Sequence, residues 1–409
     1  MAIYLKEFST TAEYEEYING SEAILPNVSI CDDTNDVHYK PEPPHDYSQD
    51  YFTMVAKGSG DIVFNSITEE TSANTLQYSI DGGSTWSTES SSITVSVTSG
   101  QKVMFKGTCT PYTPEDECYG IGRFSGTTAN FDVEGNIMSL LFGDNFKGQT
   151  SLSGKDYAFY YLFNDCTTLT SAKNLSLPAT TLATKCYQYM FYGCSSLTTA
   201  PELPATTLAQ NCYNNMFYGC TSLTTAPELP ATTLANRCYY YMFYGCTKLA
   251  TAPALPATTL ADYCYYSMLQ GCTSLTTAPT TLPATTLTNY CYYYMFYGCT
   301  KLTTAPALPA TKLSESCYRG MFQNCTSLIA APELPATTLT TRCYQNMFSS
   351  CTNLNSIKCL ATSISATNCT NNWVNGVASS GTFTKASSMT RWTAGASGIP
   401  SGWTIVDAA

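Results

Sequence analysis

The chain has 409 residues, of which 12% are charged and 13% aromatic, with 31 tyrosines and a net charge of −11. Sparse charge beside many aromatics argues against intrinsic disorder, and an acidic chain without clustered Lys and Arg argues against binding nucleic acid. With only two histidines, His38 and His45, and no apolar run long enough to span a bilayer, the composition predicts a non-enzymatic protein with no cofactor, no metal, no nucleic-acid partner and no membrane insertion.

Residues 1–57 hold eleven acids against three bases, whereas residues 177–359 hold five acids and eight bases. The opening Met1–Phe8 lacks a basic region followed by an apolar run and a cleavage site. The chain as written is therefore expected to be neither exported by the common secretory route nor anchored. Thr10 and Glu13 form a capping box, and Tyr14, Tyr17 and Ile18 predict a short amphipathic helix. Beyond that helix, Pro26, Asp32-Asp33 and Pro41–Pro44 interrupt any regular element. Ile24, Leu25, Val28 and Ile30 stay apolar without a core of their own. Residues 1–50 thus read as an extended docking arm that orders against a partner. His38 beside Asp36 reads as a loop histidine. The stretch Tyr17–Tyr39 resembles leader segments of structural proteins in phages of gut Bacteroidales, including the crAss-like group. That resemblance implies docking onto capsid or tail proteins and, because phage fibre proteins are commonly trimeric, a homotrimer.

Residues 51–135 predict a small β-sandwich. Short alternating runs at Asp61–Asn65, Leu76–Ile80, Ser92–Val97 and Lys102–Lys106 are separated by turn residues, Asp81-Gly-Gly-Ser among them. Cys109 and Cys118 flank an acidic loop and are expected to be free. Residues 136–176 read as an N-terminal cap plus a worn first repeat, with Asn136–Phe142 covering the first coil.

Seven repeats fill residues 177–359. Leu-Pro-Ala-Thr begins at Leu177, Leu203, Leu229, Leu255, Leu282, Leu308 and Leu334, a step of 26 residues broken once by a step of 27. A Leu-rich period of this length predicts an α/β leucine-rich-repeat solenoid, because one unit cannot bury its apolar side alone. Cys212, Met216 and Cys220 fall at i, i+4 and i+8, which predicts one side of a short helix ending at Gly219. Leu223, Ala226 and Leu229 then point inward from a parallel strand that Pro227 and Pro230 hold to about three residues. Residues 360–409 predict a last worn repeat and a cap, with strands at Gly381–Thr384 and Gly402–Val406.

The Met-Phe-x-Gly-Cys-Thr-x-Leu-Thr-x-Ala-Pro unit resembles the BspA-like leucine-rich repeats of Bacteroidales surface proteins, over about residues 136–409. The resemblance implies adhesion to varied partners. The seven Cys-x7-Cys pairs allow a metal array, one disulfide per coil, or buried thiols. The spacing is wrong for zinc. Worn units carry Ala158 and Val377 opposite Cys166 and Cys369, so these read as packing positions for reduced thiols. The inward residues hardly vary, but two positions after each Cys-Tyr do: Tyr189, Asn215, Tyr240, Tyr241, Tyr266, Tyr293, Tyr294, Arg319 and Gln345 form the candidate recognition surface. Tyr-rich variable positions suit binding of glycan or protein. They equally suit plain cover for a charge-poor coil edge. Glu202, Glu228 and Glu333 recur at matching positions, but Ala254 and Ala307 replace them elsewhere, so no catalytic carboxylate pair is expected. Together these readings predict a phage virion protein, a head or tail fibre or decoration, that touches host surface glycan or protein. The rival is a bacterial cell-surface or secreted adhesin.

Overall fold

The structure is a computed structural model, and it describes residues 45–65, 76–89, 92–109 and 120–408. The docking residues Tyr14, Tyr17, Ile18, Ile24, Leu25, Val28 and Ile30, together with Cys118 and His38, lie outside the described residues. Residues 47–409 cluster as one compact unit. Among the described residues no helix is long and apolar enough to cross a membrane.

The N-terminal part is sheet. The strands are β1 (Phe52–Ala56), β2 (Gly60–Asn65), β3 (Leu76–Ser79), β4 (Ser87–Glu89), β5 (Ser92–Val97), β6 (Lys102–Gly107) and β7 (Phe131–Asn136), and β5 and β6 alternate buried side chains with more exposed ones. β8 (Leu169–Ser176) belongs to the worn first repeat, and it pairs in parallel with β7. The resulting six-stranded sheet runs β4-β3-β6-β1-β7-β8, and β2 and β5 form a second sheet. The turn after β3 is locked by the Asp81 carboxylate, which accepts from Ser79 Oγ at 2.7 Å and the Thr85 amide at 2.9 Å. The Thr85 hydroxyl, which donates to the other carboxylate oxygen at 2.5 Å, and then these two bonds hold the carboxyl down to about 2. A four-residue α-helix, α1 (Ser139–Phe142), follows, with Leu140 and Leu141 buried.

The repeats contain no helix. From Lys185 to Cys194 the odd-numbered amides donate to the next coil, on Gln210, Cys212, Asn214, Met216 and Tyr218 at 2.7–3.1 Å. The even-numbered amides donate backward by three residues, for example Met190 to Tyr187 at 3.2 Å. An α-helix would use all of these amides internally and leave none for a neighbour. Every fourth residue takes a left-handed backbone instead: Lys185, Tyr189 and Gly193 have φ of 57°, 58° and 70°, and Asn211, Asn215 and Gly219 repeat the pattern. The predicted short helices are therefore corrected to a run of four-residue turns. Cys186, Met190 and Cys194 still share one buried side, because a four-residue period also brings i, i+4 and i+8 together.

The predicted three-residue strands are shorter still. In the full repeats the parallel pairing shrinks to single bridges such as Thr199 to Thr225 and Thr233 to Thr259. Proline is the cause. The worn first repeat carries Lys173, and the last full repeat Lys358, where the other coils carry a proline such as Pro201 or Pro227, and both form continuous strands: β8, and β9 (Ser356–Cys359). β9 then pairs in parallel with β10 (Thr382–Lys385), and β10 with β11 (Thr404–Asp407).

Aromatic ladders fill the core. Phe163, Phe191, Phe217 and Phe243 stack at 5.3–5.6 Å with planes within 7°, and Phe296, Phe322 and Phe348 continue beyond Leu269. Tyr187, Tyr213, Tyr239, Tyr265, Tyr292, Tyr318 and Tyr344 form a second buried ladder. Phe124 of the N-terminal part stacks on Phe163 at 5.5 Å. Trp373 and Trp392, stacked at 5.5 Å, close the other end. Phe243→Ala should cost about 3–5 kcal/mol, whereas Phe243→Leu, the residue Leu269 already supplies one coil on, should cost about 1 kcal/mol. Chemical denaturation midpoints of the two variants check this ordering.

Among the described residues the cysteines are free and buried. The second thiol of each pair also has a partner: Cys194 donates to the Phe163 carbonyl at 3.0 Å, Cys220 to Phe191 at 3.1 Å and Cys351 to Phe322 at 2.9 Å. Burial pushes Cys186, Cys238, Cys272 and Cys291 up to about 12. The folded state thus keeps protons that the unfolded chain gives up above pH ~9, so stability is complete below that pH and falls as pH climbs toward 12. Each such thiol contributes a slope of about 1.4 kcal/mol per pH unit. Thermal melts should be flat from pH 6 to 8 and collapse steeply above pH ~9; iodoacetamide should label these thiols only after unfolding.

Candidate functional site

The outward side of the turn segment carries three adjacent columns of side chains. The first, just before each left-handed residue, holds Tyr240, Tyr266, Tyr293, Arg319 and Gln345. The second is the left-handed column itself: Tyr189, Asn215, Tyr241, Ser267, Tyr294, Gly320 and Asn346, from φ 50° to 59°. The third holds Tyr192, Tyr218, Tyr244, Gln270, Tyr297 and Gln323. Met190 and Phe191 between these columns face inward and are fully buried.

The structure brings the sequence-predicted residues onto this one surface. Tyr189, Tyr240, Tyr241, Tyr266, Tyr294, Arg319 and Gln345 are half-buried. Tyr293 and Asn215 are more enclosed, at 9% and 6% exposure. In the first column Tyr240, Tyr266 and Tyr293 stack face to face at 4.7 and 4.4 Å, and the Arg319 guanidinium lies 5.4 Å from the Tyr293 ring. Such stacking is worth roughly 0.5–1.5 kcal/mol per pair beyond burial.

The third column was not singled out from the sequence, because Tyr192, Tyr218 and Tyr244 sit in the near-constant Phe-Tyr-Gly segment and read as scaffold. In the structure they stack at 4.7 and 4.5 Å and complete the face. Their i+3 spacing from the variable column was the signal that could have found them. Burial first, then the neighbouring phenols, pushes Tyr218 up to about 12, and burial also raises Tyr189, Tyr240, Tyr266 and Tyr294. These five phenols therefore stay uncharged at neutral pH, with the Arg319 guanidinium beside them.

An open cleft of about 780 Å³ lies in this face, lined by Tyr161, Tyr189, Tyr218, Tyr241 and Asn215 among others, with Arg123 and Asp165 toward one end. Glu202, Glu228 and Glu333 are exposed elsewhere, Glu333 paired with Lys358 at 3.0 Å. Among the described residues no group of three or more His, Cys, Asp or Glu side chains is placed to hold a metal ion. The arrangement offers flat apolar faces rimmed by amides and hydroxyls. It can grip a ligand by stacking and hydrogen bonding.

A family model described as a BspA type leucine-rich repeat region matches residues 159–276 and 286–389 in six copies, more than half of the chain. No curated protein matches. Among solved structures, a leucine-rich repeat protein from Bacteroides ovatus is similar at 14% identity with a TM-score of 0.27, covering 73% of this chain and 88% of that one. On the strength of the family match, the chain belongs to the BspA-type leucine-rich repeat family.

Proposed function

We propose that this chain is a non-enzymatic adhesion protein whose repeats bind glycan or protein on a cell surface through the tyrosine face. The observation that carries this reading is the set of outward columns, Tyr240, Tyr266 and Tyr293 beside Tyr192, Tyr218 and Tyr244, held as rigid uncharged stacks on a laddered core. Tyrosine supplies wide contact area with few rotatable bonds, so ordering it on binding costs little entropy. Repeats of this family are generally non-enzymatic, which agrees with the scarcity of ionisable groups on the face.

The setting proposed is a phage virion: the chain as a head or tail fibre or decoration protein, its first 50 residues docked on capsid or tail proteins, its repeat solenoid projecting toward the host, and three copies assembling together. The leader-like stretch Tyr17–Tyr39 supports this setting. The family itself favours a second one, a bacterial cell-surface or secreted adhesin.

Labelled protein should bind cultured Bacteroidales cells saturably, and the pair Tyr240→Ala and Tyr241→Ala should weaken that binding about tenfold or more without unfolding the chain. Absence of saturable binding by the wild type on a strain panel removes the adhesion reading. Mass spectrometry should find the chain in purified phage particles, deletion of residues 1–50 should prevent its incorporation, and light scattering should give a trimer. Its recovery from bacterial surface fractions instead would select the second setting.

A further inference from the structure

The left-handed column reads Tyr161, Tyr189, Asn215, Tyr241, Ser267, Tyr294, Gly320 along successive coils. Large and small residues alternate after Tyr189. At two of the small positions the gap is closed. The Tyr294 ring lies so close over Gly320 that an added Cβ would sit 1.9 Å from it, and Ser267 is 0% exposed. Asn215 keeps 6% of its surface exposed. It sits within the lining of the open cleft, between coils whose Tyr189 and Tyr241 also line it. The side chain is fixed in place, since its Nδ2 donates to Asn214 Oδ1 and Asn214 Nδ2 donates to Asn211 Oδ1 at 2.8 Å. Behind it Tyr192, Tyr218 and Tyr244 form the stacked wall.

Backbone economy does not explain the tyrosines here. A left-handed conformation is unfavourable for a bulky side chain, yet Tyr161, Tyr189 and Tyr241 adopt φ of 58°, 58° and 54°. Gly320 shows that the same turn accepts the residue best suited to it. The rings are thus held at the cleft against local preference.

Resting on the adhesion reading above, the geometry points to this cleft as a binding site for a neutral oligosaccharide of a few pyranose rings, with the missing ring at Asn215 as the slot that admits a sugar. At about 780 Å³ the cleft falls within the range of small-ligand sites. A pyranose presents flat C–H faces to phenol rings and edge hydroxyls to the Asn215 and Gln270 amides. One Arg and one Asp in the lining leave no net charge to select an anionic sugar. A protein partner needs about 800 Å² of surface on each side rather than a slot.

Asn215→Tyr tests this directly. It restores the ring that Tyr189 and Tyr241 carry at the same backbone conformation, so the fold should accept it. On a microarray of neutral and sialylated or uronic-acid oligosaccharides, the wild type should bind neutral pyranose chains, and Asn215→Tyr should bind at least about tenfold more weakly with an unchanged unfolding midpoint. If that midpoint falls, Tyr241→Ser, which copies Ser267, takes its place with the same expected loss. Equal binding by the variant, exclusive binding of acidic sugars, or a blank array overturns the proposal. Where saturable cell binding persists through any of those results, the adhesion reading survives and the cleft assignment alone falls. Where cell binding is absent, the adhesion reading itself has failed.

Discussion

Alternate sharing of backbone amides is the constraint on which the rest of the repeat structure depends. Each turn segment donates every second N–H to the next coil and every other one to its own chain three residues back. Neither a helix nor a strand divides its donors this way. The geometry that permits it places a left-handed residue at every fourth position, and 20 residues other than glycine adopt such a backbone among those described. Left-handed residues with a Cβ are individually unfavourable by about 1–2 kcal/mol. The lateral bonds, repeated coil upon coil, and the ring ladders beneath them offset that cost only because each coil fixes its neighbour.

That constraint also separates scaffold from surface. Residues on the inward side of the four-residue turn meet their copies at ring-stacking distance, so Phe191 or Tyr213 is locked by its equivalents in the coils on either side. Even the thiols take part. Cys220 and its equivalents donate to a carbonyl of the preceding coil, Phe191 for Cys220 and Leu269 for Cys299, which a valine of similar volume cannot do. Left-handed positions tolerate Tyr, Asn, Ser, Gly, Lys and Arg alike, because the backbone there is dictated by hydrogen bonding and not by the side chain. Diversity on the face is therefore free of the core.

Much of this was legible in the residues. The period, the inward set Cys212, Met216, Cys220 and Leu223, strands β2, β3, β5 and β6, and strands β10 and β11 of the C-terminal cap follow from spacing and turn chemistry, whereas β1, β4, β7 and β8 of the six-stranded sheet were not picked out. The helix did not survive, since i, i+4, i+8 fits a period of four as well as one of 3.6. The distinguishing mark was present: Asn211, Asn215 and Gly219 fall four apart, and Asn and Gly are the residues that enter left-handed backbone most readily. Strand length was overestimated for a related reason. Pro227 and Pro230 were read as limiting the strand to about three residues, whereas the comparison of Lys173 and Lys358 with the prolines of the other coils shows that proline reduces pairing to single bridges. The thiol-to-carbonyl bonds had no signal in the sequence, because they depend on which atom of the adjacent coil lies within reach.

A charge-poor face has a consequence for how any grip it makes responds to its surroundings. Attraction between exposed charges weakens within about 10 Å at moderate salt, so adhesins that rely on charge lose hold as ionic strength rises. Stacking on phenols does not, and phenols pushed upward by burial, such as Tyr218, stay protonated through the alkaline range in which ordinary tyrosines begin to ionise. Charged groups are few on this surface, Arg123, Asp165 and Arg319 among them, so contacts made to its phenols change little with salt and pH. The cleft at Asn215 then differs from the rest of the face by shape and by one amide, and shape is a property the laddered core beneath it holds fixed.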